Sequence, residues 1–326
     1  MLVNNLKNPK ISSIRESYGK ALVRFGLENE KIVVLEADVS NSTLTKYFGD
    51  AYPERFFNVG IAEAGMVDTA VGLALEGYIP FVNSFSSLIC NRAFEQIRTC
   101  VSYANTNVKI VGSFAGISDF KDGPTHHTIF DVSVMRAMPN MVILISADSV
   151  ETEKMVKIAA DYNGPVYLRL SRADMPVLFT DDHEVILGKG NILKLGSDIT
   201  LICTGTLLHR TLLAAESLEK EGISARVLEI HTIKPLDKDI ILKCAKETKA
   251  IVTIEDNNII GGLFGAVAEL LTLSNLKKPV EPIGIKDCYA RTALDAESLL
   301  DFMGLDSKNI IIASKKVLNI KTGQYF

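Results

Sequence analysis

The chain has 326 residues and a mass of 35.6 kDa, and its 35 Lys and Arg against 39 Asp and Glu give a formal net charge of −4. Its 47% hydrophobic and 23% charged residues exclude a disordered tail protein, a collagen and a coiled coil. A slightly acidic chain without a Lys/Arg cluster argues against nucleic acid as the main partner, and no apolar run approaches the roughly 18 residues of a membrane span. Together with a polar start, these features predict a soluble, cytoplasmic, two-domain protein that does not act at a membrane.

Short apolar strands alternate with longer helical segments in the first half of the chain. The predicted strands are Lys31–Asp38, Ile79–Ser84, Val108–Ser113, Met141–Ser146 and Val166–Leu170. The predicted helices, with apolar residues three and four positions apart, are Ser12–Asn29, Ile61–Glu76, Arg92–Ala104 and Ser149–Asp161. Because nearly continuous apolar strands are typical of parallel sheets covered on both faces, this alternation predicts an α/β domain with a parallel sheet.

A stretch with Pro176, an Asp pair and two glycines interrupts this alternation, and we assign residues 176–195 to a linker. The strands predicted after it are Asp198–Cys203, Ala225–Ile230, Lys249–Ile254 and Val280–Ile285, and the helices between them are Thr206–Glu221, Leu236–Thr248 and Gly262–Leu273. The predicted organisation is a tail over residues 1–10, an α/β domain over 11–175, the linker, and a smaller α/β domain over 196–326.

Signatures of metal, disulfide and nucleotide sites are missing from the sequence. The five cysteines are widely spaced and no CxxC or His-x₃-His is present, so we expect neither a metal site nor a disulfide. No GxxxxGK[ST] or GxSxG occurs, which disfavours a P-loop and a protein nucleophile. The Gly261-Gly262 pair opens a predicted helix and could bind an anion, but we expect a plain helix start or a dimer contact there.

Two segments carry candidate functional residues, and the first of them follows a predicted strand, in the place where parallel sheets bind ligands. The loop Asp119–Thr128 contains adjacent His126 and His127, which could transfer protons, or the loop could simply be solvated. Glu63 begins an apolar helix, where a carboxylate favours the helix dipole. The small residues around Glu63 would also let another molecule or subunit approach closely and remove water from the carboxylate. A functional role therefore stays open for both segments.

Four segments, in this order and spacing, resemble the C-terminal half of transketolase. They are EADVSNST (36–43), RFFNVGIAEAGMVDTAVGLALEGYIPFVNSF (55–85), DGPTHHTIFDVSVMRAMPNM (122–141) and LRLSR (168–172). HTIKPLD (231–237) and EDNNIIGGLFGAVAELL (255–271) are similar to the C-terminal domain of that family. The resemblance covers nearly the whole chain and implies a thiamine-diphosphate-binding, pyrimidine-type parallel-sheet domain followed by a smaller α/β transketolase C-terminal domain.

The resemblance also implies cofactors, a partner and a reaction. The cofactors are thiamine diphosphate and Mg²⁺, which the family holds through a Gly-Asp-Gly motif with a downstream Asn in another domain. The only Gly-Asp here, Gly49-Asp50, is followed by Ala51. The resemblance therefore implies an N-terminal partner subunit that carries the motif, an α₂β₂ assembly, and transfer of a two-carbon ketol unit from a ketose phosphate to an aldose.

Roles follow from the positions that match the family's motifs. Glu63 matches the catalytic glutamate that hydrogen-bonds the pyrimidine ring, and Phe85 matches an aromatic that stacks on this ring. Asp38 falls on a cofactor-facing position, and Leu88 stands where the family has a second pyrimidine-facing aromatic. The resemblance assigns substrate contacts to Ser42, Asp122, His126 and Arg172. Of these, His126 is also expected to take part in catalysis, and the fork of Arg172 suits a sugar phosphate.

Some positions depart from the family's pattern. Phe114 replaces a substrate-contacting histidine and His127 replaces a glutamine, which suggests a less common sugar phosphate or polyol as the acceptor. The alternatives are the β subunit of a 2-oxoacid dehydrogenase E1 component, a deoxyxylulose phosphate synthase fragment, and a non-catalytic subunit. The DGPTHH and LRLSR segments favour transketolase over the E1 component, and the retained Glu63, Phe85 and His126 argue against lost chemistry.

Overall fold

The computed structural model describes residues 1–3 and 5–320. The strands are β1 (Ile11–Ser13), β2 (Ile32–Glu36), β3 (Phe56–Asn58), β4 (Ile79–Phe85), β5 (Lys109–Ser113), β6 (Val142–Ile145), β7 (Val166–Arg169), β8 (Asp174–Pro176), β9 (Asn191–Lys194), β10 (Ile199–Cys203), β11 (Ala225–Glu229), β12 (Thr232–Lys234), β13 (Ala250–Asn258) and β14 (Val280–Ile285). The helices are α1 (Ile14–Glu28), α2 (Ser40–Thr43), α3 (Lys46–Ala51), α4 (Glu63–Leu75), α5 (Ser86–Arg92), α6 (Phe94–Gln96), α7 (Asp131–Ala137), α8 (Ser149–Asp161), α9 (Leu208–Lys220), α10 (Lys238–Glu247), α11 (Leu263–Leu273), α12 (Ala296–Phe302) and α13 (Ser307–Val317).

The first half of the chain forms a seven-stranded sheet in the order β12-β6-β7-β5-β4-β2-β3, in which all strands except β12 run parallel. Strands β2, β4, β5, β6 and β7 are buried along their whole length. This burial explains why their sequences are almost continuously apolar. The predicted α/β fold with a parallel sheet is confirmed.

Helices cover both faces of this sheet. On one face, Tyr18 and Leu22 of α1 and Met155 of α8 share a core with the sheet. On the other face, Met66 of α4 and Ile89 of α5 pack into a second core. This two-sided cover leaves the edge at the carboxyl ends of the strands as the part of the sheet that can receive a ligand.

The segment predicted as a single helix over residues 92–104 is divided instead. Helix α5 already begins at Ser86 and ends at Arg92, Ala93 leaves the helical conformation, and a π-helical turn runs over Ile97–Tyr103. The apolar spacing continues through the interruption because Ala93 and Ile97 both stay buried. Periodicity alone therefore could not locate this break, which places Arg92 at the end of a helix.

The second half of the chain forms a five-stranded sheet in the order β14-β13-β10-β11-β9, with only β9 antiparallel to its neighbour. Strand β9 covers residues 191–194, which lie at the end of the predicted linker. At its start, β8 pairs with β1 near the beginning of the chain. The segment between the two larger sheets thus contributes β9 to the five-stranded sheet and β8 to a separate two-stranded sheet with β1.

The second half of the chain also contributes one strand to the first sheet. Thr232 and Lys234 of β12 belong to the second half, yet they pair with Leu144 and Ile143 of β6 in the first sheet. The backbone N–H of Ile145 adds a hydrogen bond of 2.9 Å to the carbonyl of His231.

None of the helices in the described residues is long and apolar enough to cross a membrane.

Candidate active site

The residues predicted as functional follow five neighbouring strands at the same edge of the first sheet. Arg172 lies just after β7, the loop Asp119–Thr128 after β5, Phe85 at the end of β4, Asp38 after β2 and Glu63 after β3. Adjacent strands lie about 4.8 Å apart, so five of them span about 20 Å. The fold therefore brings residues from across 130 positions of sequence to one row, at the edge where parallel sheets bind ligands.

An aromatic cluster occupies the middle of this row. The rings of Phe85 and Phe114 are stacked with centroids 4.1 Å apart, and the ring of His126 lies 6.1 Å from Phe85 in a tilted arrangement. Phe114 has a φ of +60°, which is rare for a bulky residue and costs about 1–3 kcal/mol. The stacking holds Phe114 in this conformation, so one face of Phe85 is covered by a residue of this chain.

Two arginines lie over the aromatic cluster. Their guanidinium carbons are 5.4 Å (Arg15) and 5.3 Å (Arg172) from the centroid of Phe114. Arg172 donates to a carboxylate oxygen of Asp119 at 2.9 Å, while Arg15 donates to the carbonyl oxygens of Arg172 and Ser42 at 3.2 and 2.7 Å. Burial and the charge of Arg172 lower the pKa of Arg15. Two cations with one carboxylate partner between them make this part of the edge suited to an anion.

The loop Asp119–Thr128 separates its two histidines. The ring of His127 is buried and its Nε2 hydrogen-bonds the carbonyl of Asp119 at 2.9 Å, and burial lowers its pKa. His126 is half-buried, and its Nδ1 lies 3.0 Å from the hydroxyl of Thr125. Asp122 is exposed in the same loop. His127 therefore holds the loop in place, and His126 is the histidine that faces the aromatic cluster.

Asp119, the first residue of this loop, is a buried acid with a raised pKa. Its carboxylate is fully buried, and one oxygen, Oδ2, has no hydrogen-bond partner among the described residues. Burial, and after it the neighbouring Asp122, raise its pKa, against the effect of the Arg172 guanidinium. The residue therefore serves to position Arg172 from inside the protein.

Glu63 is the first residue of α4, and its carboxylate is 3% exposed. The Nη1 of Arg92 donates to its Oε1 at 2.8 Å, so the end of α5 fixes one oxygen of the acid. Leu88 lies one helical turn before Arg92 and is half-buried on the same side of α5. A Cβ added at Gly65, two residues further along α4, would meet nothing within 4 Å, so another face of this helix is open to a neighbouring molecule.

The loop after β2 carries the remaining predicted residues. Asp38 has a φ of +63° and exchanges two hydrogen bonds with the amide group of Asn58, at 3.0 and 3.1 Å. Below them, Glu36 is fully buried and accepts hydrogen bonds from the hydroxyls of Thr43 and Thr45. Burial raises the pKa of Glu36 to about 7, against these hydrogen bonds. The loop is therefore held by a buried carboxyl group.

Sequence reasoning missed two arginines of this site. Arg15 lies in the first turn of α1, where a cation opposes the helix dipole, and this conflict was a signal that another partner holds it. Arg92 carried no comparable signal, because its bond to Glu63 spans 29 residues. The Gly261-Gly262 pair is not free for an anion: the Glu255 carboxylate already accepts from the first two N–H groups of α11, at 2.7 and 2.9 Å.

Comparison with known proteins gives matches over almost the whole chain. Residues 11–177 match the family "Transketolase, pyrimidine binding domain" and residues 188–310 match "Transketolase, C-terminal domain". A "Putative transketolase C-terminal section" from Methanocaldococcus jannaschii is 44% identical over 299 residues, which cover 91% of this chain and 93% of the relative. A "6-deoxy-6-sulfo-D-fructose transketolase subunit SqwH" from Clostridium sp. is 37% identical, with 94% and 95% covered. A solved structure described as "Split gene transketolase, inactive beta4 tetramer" superposes with a TM-score of 0.86 at 42% identity and covers 95% of this chain and 99% of that one.

Proposed function

Because this chain belongs to the transketolase family, of which it carries the pyrimidine-binding and C-terminal domains, we propose that it is the C-terminal subunit of a split, thiamine-diphosphate-dependent transketolase. The proposed reaction transfers a two-carbon ketol unit from a ketose phosphate to an aldose. The observation that carries this proposal is the buried Glu63 carboxylate, fixed by Arg92 at the edge that also holds Phe85 and the two arginines.

The residues at the edge of the sheet fit the aminopyrimidine ring of thiamine diphosphate. When bound, this cofactor supplies a stabilised carbanion for breaking and forming carbon–carbon bonds. Arg92 engages Oε1 of Glu63, and we assign Oε2 to a hydrogen bond with a ring nitrogen. We assign an aromatic contact with the ring to Phe85, an apolar one to Leu88, and a further contact with the cofactor to Asp38. Mg²⁺ and the diphosphate are assigned to the partner subunit, since this chain has no Gly-Asp-Gly.

The arginine pair supports a phosphorylated substrate. The forked guanidinium groups of Arg15 and Arg172 match the geometry of a phosphate, and stacking over Phe114 limits their freedom. The hydroxyl groups of the sugar would then contact the residues assigned to the substrate, which are Ser42, Asp122 and His126. Proton transfer at the reacting oxygen is assigned to His126, since His127 is committed to the backbone.

The surface around α4 supports a partner subunit. Only Glu63, Asp68 and Thr69 of this helix are polar, and large apolar side chains are exposed at both ends, with Ile61 74% and Leu75 73% exposed. An exposed apolar surface of this kind marks an interface. The related structure described as an inactive tetramer of β chains agrees with a chain that needs a different partner for activity. We propose an α₂β₂ assembly in which the partner covers α4 and completes the site beside Glu63.

The test is reconstitution with a chain that supplies the Gly-Asp-Gly domain. We expect ketol transfer that depends on thiamine diphosphate in the mixture and none in either chain alone. Glu63→Gln should lower kcat by about 100-fold or more, because the amide of glutamine cannot exchange a proton with the ring nitrogen. The matched control is Glu76→Gln, an exposed glutamate just after the other end of α4. Full activity of the Glu63 variant, or of this chain alone, would contradict the proposal.

A less common substrate follows from Phe114. Where the family has a substrate-contacting histidine, this chain offers an aromatic wall without a hydrogen-bond donor. We propose an acceptor other than the usual pentose phosphates, and the sulfosugar in the name of one relative agrees with such divergence. Histidine tolerates a positive φ, so Phe114→His should raise kcat/KM for ribose 5-phosphate by about tenfold. Wild-type activity confined to xylulose 5-phosphate and ribose 5-phosphate would contradict this proposal.

A further inference from the structure

A second cluster of ionisable groups lies away from the edge with Glu63, at the junction of the two halves. Glu151 comes from α8 under the first sheet, His183 from the segment between the sheets, and Glu229 from the end of β11 in the second sheet. One ligand atom from each residue lies within 4.8 Å of the other two. The three side chains are 0%, 5% and 0% exposed, so the cluster is closed to bulk water.

The polar atoms that face one another in this cluster are unsatisfied. Glu151 Oε1, His183 Nε2 and Glu229 Oε1 have no hydrogen-bond partner in the described part of the chain. A buried polar atom without a partner is rare and destabilises the fold, more so when it is charged. The three atoms lie within 4.8 Å of one another, so one positively charged ion between them would satisfy all three.

The other oxygen of each glutamate is held from outside the cluster. Glu151 Oε2 accepts the backbone N–H of Ala147 at 2.8 Å, and Glu229 Oε2 accepts the amide of Asn191 at 3.1 Å. The ring of Phe179 stacks on His183 with centroids 3.7 Å apart and an angle of 8°. Supporting contacts of this kind orient the ligands of metal ions. They turn one free oxygen of each glutamate and the Nε2 of the histidine inward.

We propose that Glu151, His183 and Glu229 bind a divalent transition-metal ion of the Zn²⁺ type at the junction of the two halves. Two carboxylates buried side by side keep their charges only beside a positive charge, and no Lys or Arg is among their described hydrogen-bond or ion-pair partners. A 2+ ion supplies that charge. Two carboxylate oxygens and an imidazole nitrogen form a donor set that suits Zn²⁺ and its first-row neighbours.

One of the ligand separations is close to that of a zinc site. Glu151 Oε1 and His183 Nε2 are 3.7 Å apart, and two ligands of a tetrahedral zinc ion with bonds of about 2.0–2.1 Å lie about 3.3 Å apart. A water would complete the fourth position. The ion would join α8, the connecting segment and β11, which makes the site structural.

Metal analysis of the full chain, purified without a histidine tag, tests this proposal. We expect close to one equivalent of zinc or a similar metal per chain after dialysis against Zn²⁺, and less than a tenth of this in His183→Asn and Glu229→Gln. His209→Asn is the matched control, since its ring contacts the carbonyl of Leu6 outside the cluster. Removing the metal from the wild type with a chelator should lower Tm by about 5 °C or more, and adding Zn²⁺ should restore it.

This design separates the metal site from a general folding defect, because the chelator experiment uses the wild-type chain. It is also independent of the proposed enzymatic activity, since no substrate or partner is present. The proposal is overturned if the wild type retains less than a tenth of an equivalent after dialysis against Zn²⁺, and the two carboxyl groups would then share a proton. It is also overturned if metal binds equally well to the His183 and Glu229 variants.

Discussion

Arg172 shows how a single side chain acquires its role from three neighbours. Asp119 holds its Nη1 from the buried side, Phe114 lies beneath its guanidinium plane, and Arg15 donates to its carbonyl. Among the described residues, Asp119 engages only one nitrogen of this guanidinium, so its other N–H groups can donate to a ligand. This arrangement fixes a fork of donors beside the aromatic cluster, in a position to receive a phosphate.

Arg172→Lys tests this arrangement in the reconstituted enzyme. Lysine keeps the charge but loses the fork and the stacking, so the KM for a phosphorylated substrate should rise about tenfold with a smaller change in kcat. Steady-state kinetics with phosphorylated and unphosphorylated sugars measure the effect, which should be confined to the former. Arg24→Lys on the exposed side of α1 is the control. An unchanged KM would remove Arg172 from the phosphate site.

Glu36 is a second residue whose surroundings matter, because they change the pH at which its carboxyl group gains or loses a proton. Its pKa is about 7 in the folded protein, since burial disfavours the charged form, against a reference value of 4.5. A raised carboxyl pKa means that the folded chain binds the proton more tightly than the unfolded chain does. This group therefore stabilises the fold less and less as the pH rises from about 4.5 to 7, and the loss is complete above that range.

The comparison of Glu36→Gln with wild type isolates this contribution. Across that pH range, the free energy of unfolding should shift by about 3 kcal/mol in favour of the variant. Urea denaturation at a series of pH values measures the shift. Glu30→Gln, an exposed substitution just before β2, controls for the loss of one negative charge. A constant difference between variant and wild type across the range would show that Glu36 does not titrate there.

At the scale of an element, α11 begins in an unusual way. Its N-cap residue is Gly262, and the side chain that satisfies its first N–H groups is Glu255, which comes from β13. A Cβ added at Gly262 would lie 2.0 Å from Oε2 of Glu255, so only glycine leaves space for this carboxylate. The cap of α11 therefore depends on a side chain of β13, the strand that precedes this helix in the sequence.

Two glycine-to-alanine substitutions in the same helix should have opposite effects. Gly262→Ala displaces the capping carboxylate and should lower the free energy of unfolding by about 1–3 kcal/mol. Gly265→Ala places its Cβ at ordinary contact distances of 3.5 Å or more, and should be neutral or stabilising by up to about 1 kcal/mol. Urea denaturation of both variants checks the pair. Equal effects would contradict the assigned cap.

At the scale of the whole molecule, a buried ion cluster joins the two halves of the chain. Arg169 of β7 donates to Asp131 at 2.8 Å and to Asp256 of β13 at 2.6 Å, and all three side chains are almost fully buried. Tyr167 donates to the same oxygen of Asp131 at 2.7 Å. A cluster closed to water depends on every member, because removing the cation leaves two buried carboxylates unpaired.

Arg169→Met should therefore destabilise the whole molecule. The free energy of unfolding should fall by about 3–5 kcal/mol, since the carboxylates of Asp131 and Asp256 lose their counter-ion. Lys157→Met is the contrast: it breaks a solvent-exposed pair with Asp161 on α8 and should cost less than about 0.5 kcal/mol. Chemical denaturation of the two variants decides between them. A cost below about 1 kcal/mol for Arg169→Met would show that the cluster does not hold the halves together.

The sequence by itself determined the fold class and much of the predicted site. Strands such as β4 and β5 are buried on both faces, so most of their residues are apolar. A run of consecutive apolar residues can be recognised in the sequence alone. Likewise, the polar residues after successive strands could be expected at one edge, because parallel strands end on the same side. The segments that resemble transketolase then pointed to Glu63, Phe85 and His126.

Only the tertiary structure decided which partners these residues have. The bond from Arg92 to Glu63, the position of Arg15 over Phe114, and the exchange of β12 between sheets all join distant segments. The convergence of Glu151, His183 and Glu229 depends on the packing of both halves in the same way. Local spacing reports which face of an element is buried. It carries no information on which distant side chain contacts that face. For this reason, the contacts that pair charges, cap helices and bring site residues together could be determined only from the tertiary structure.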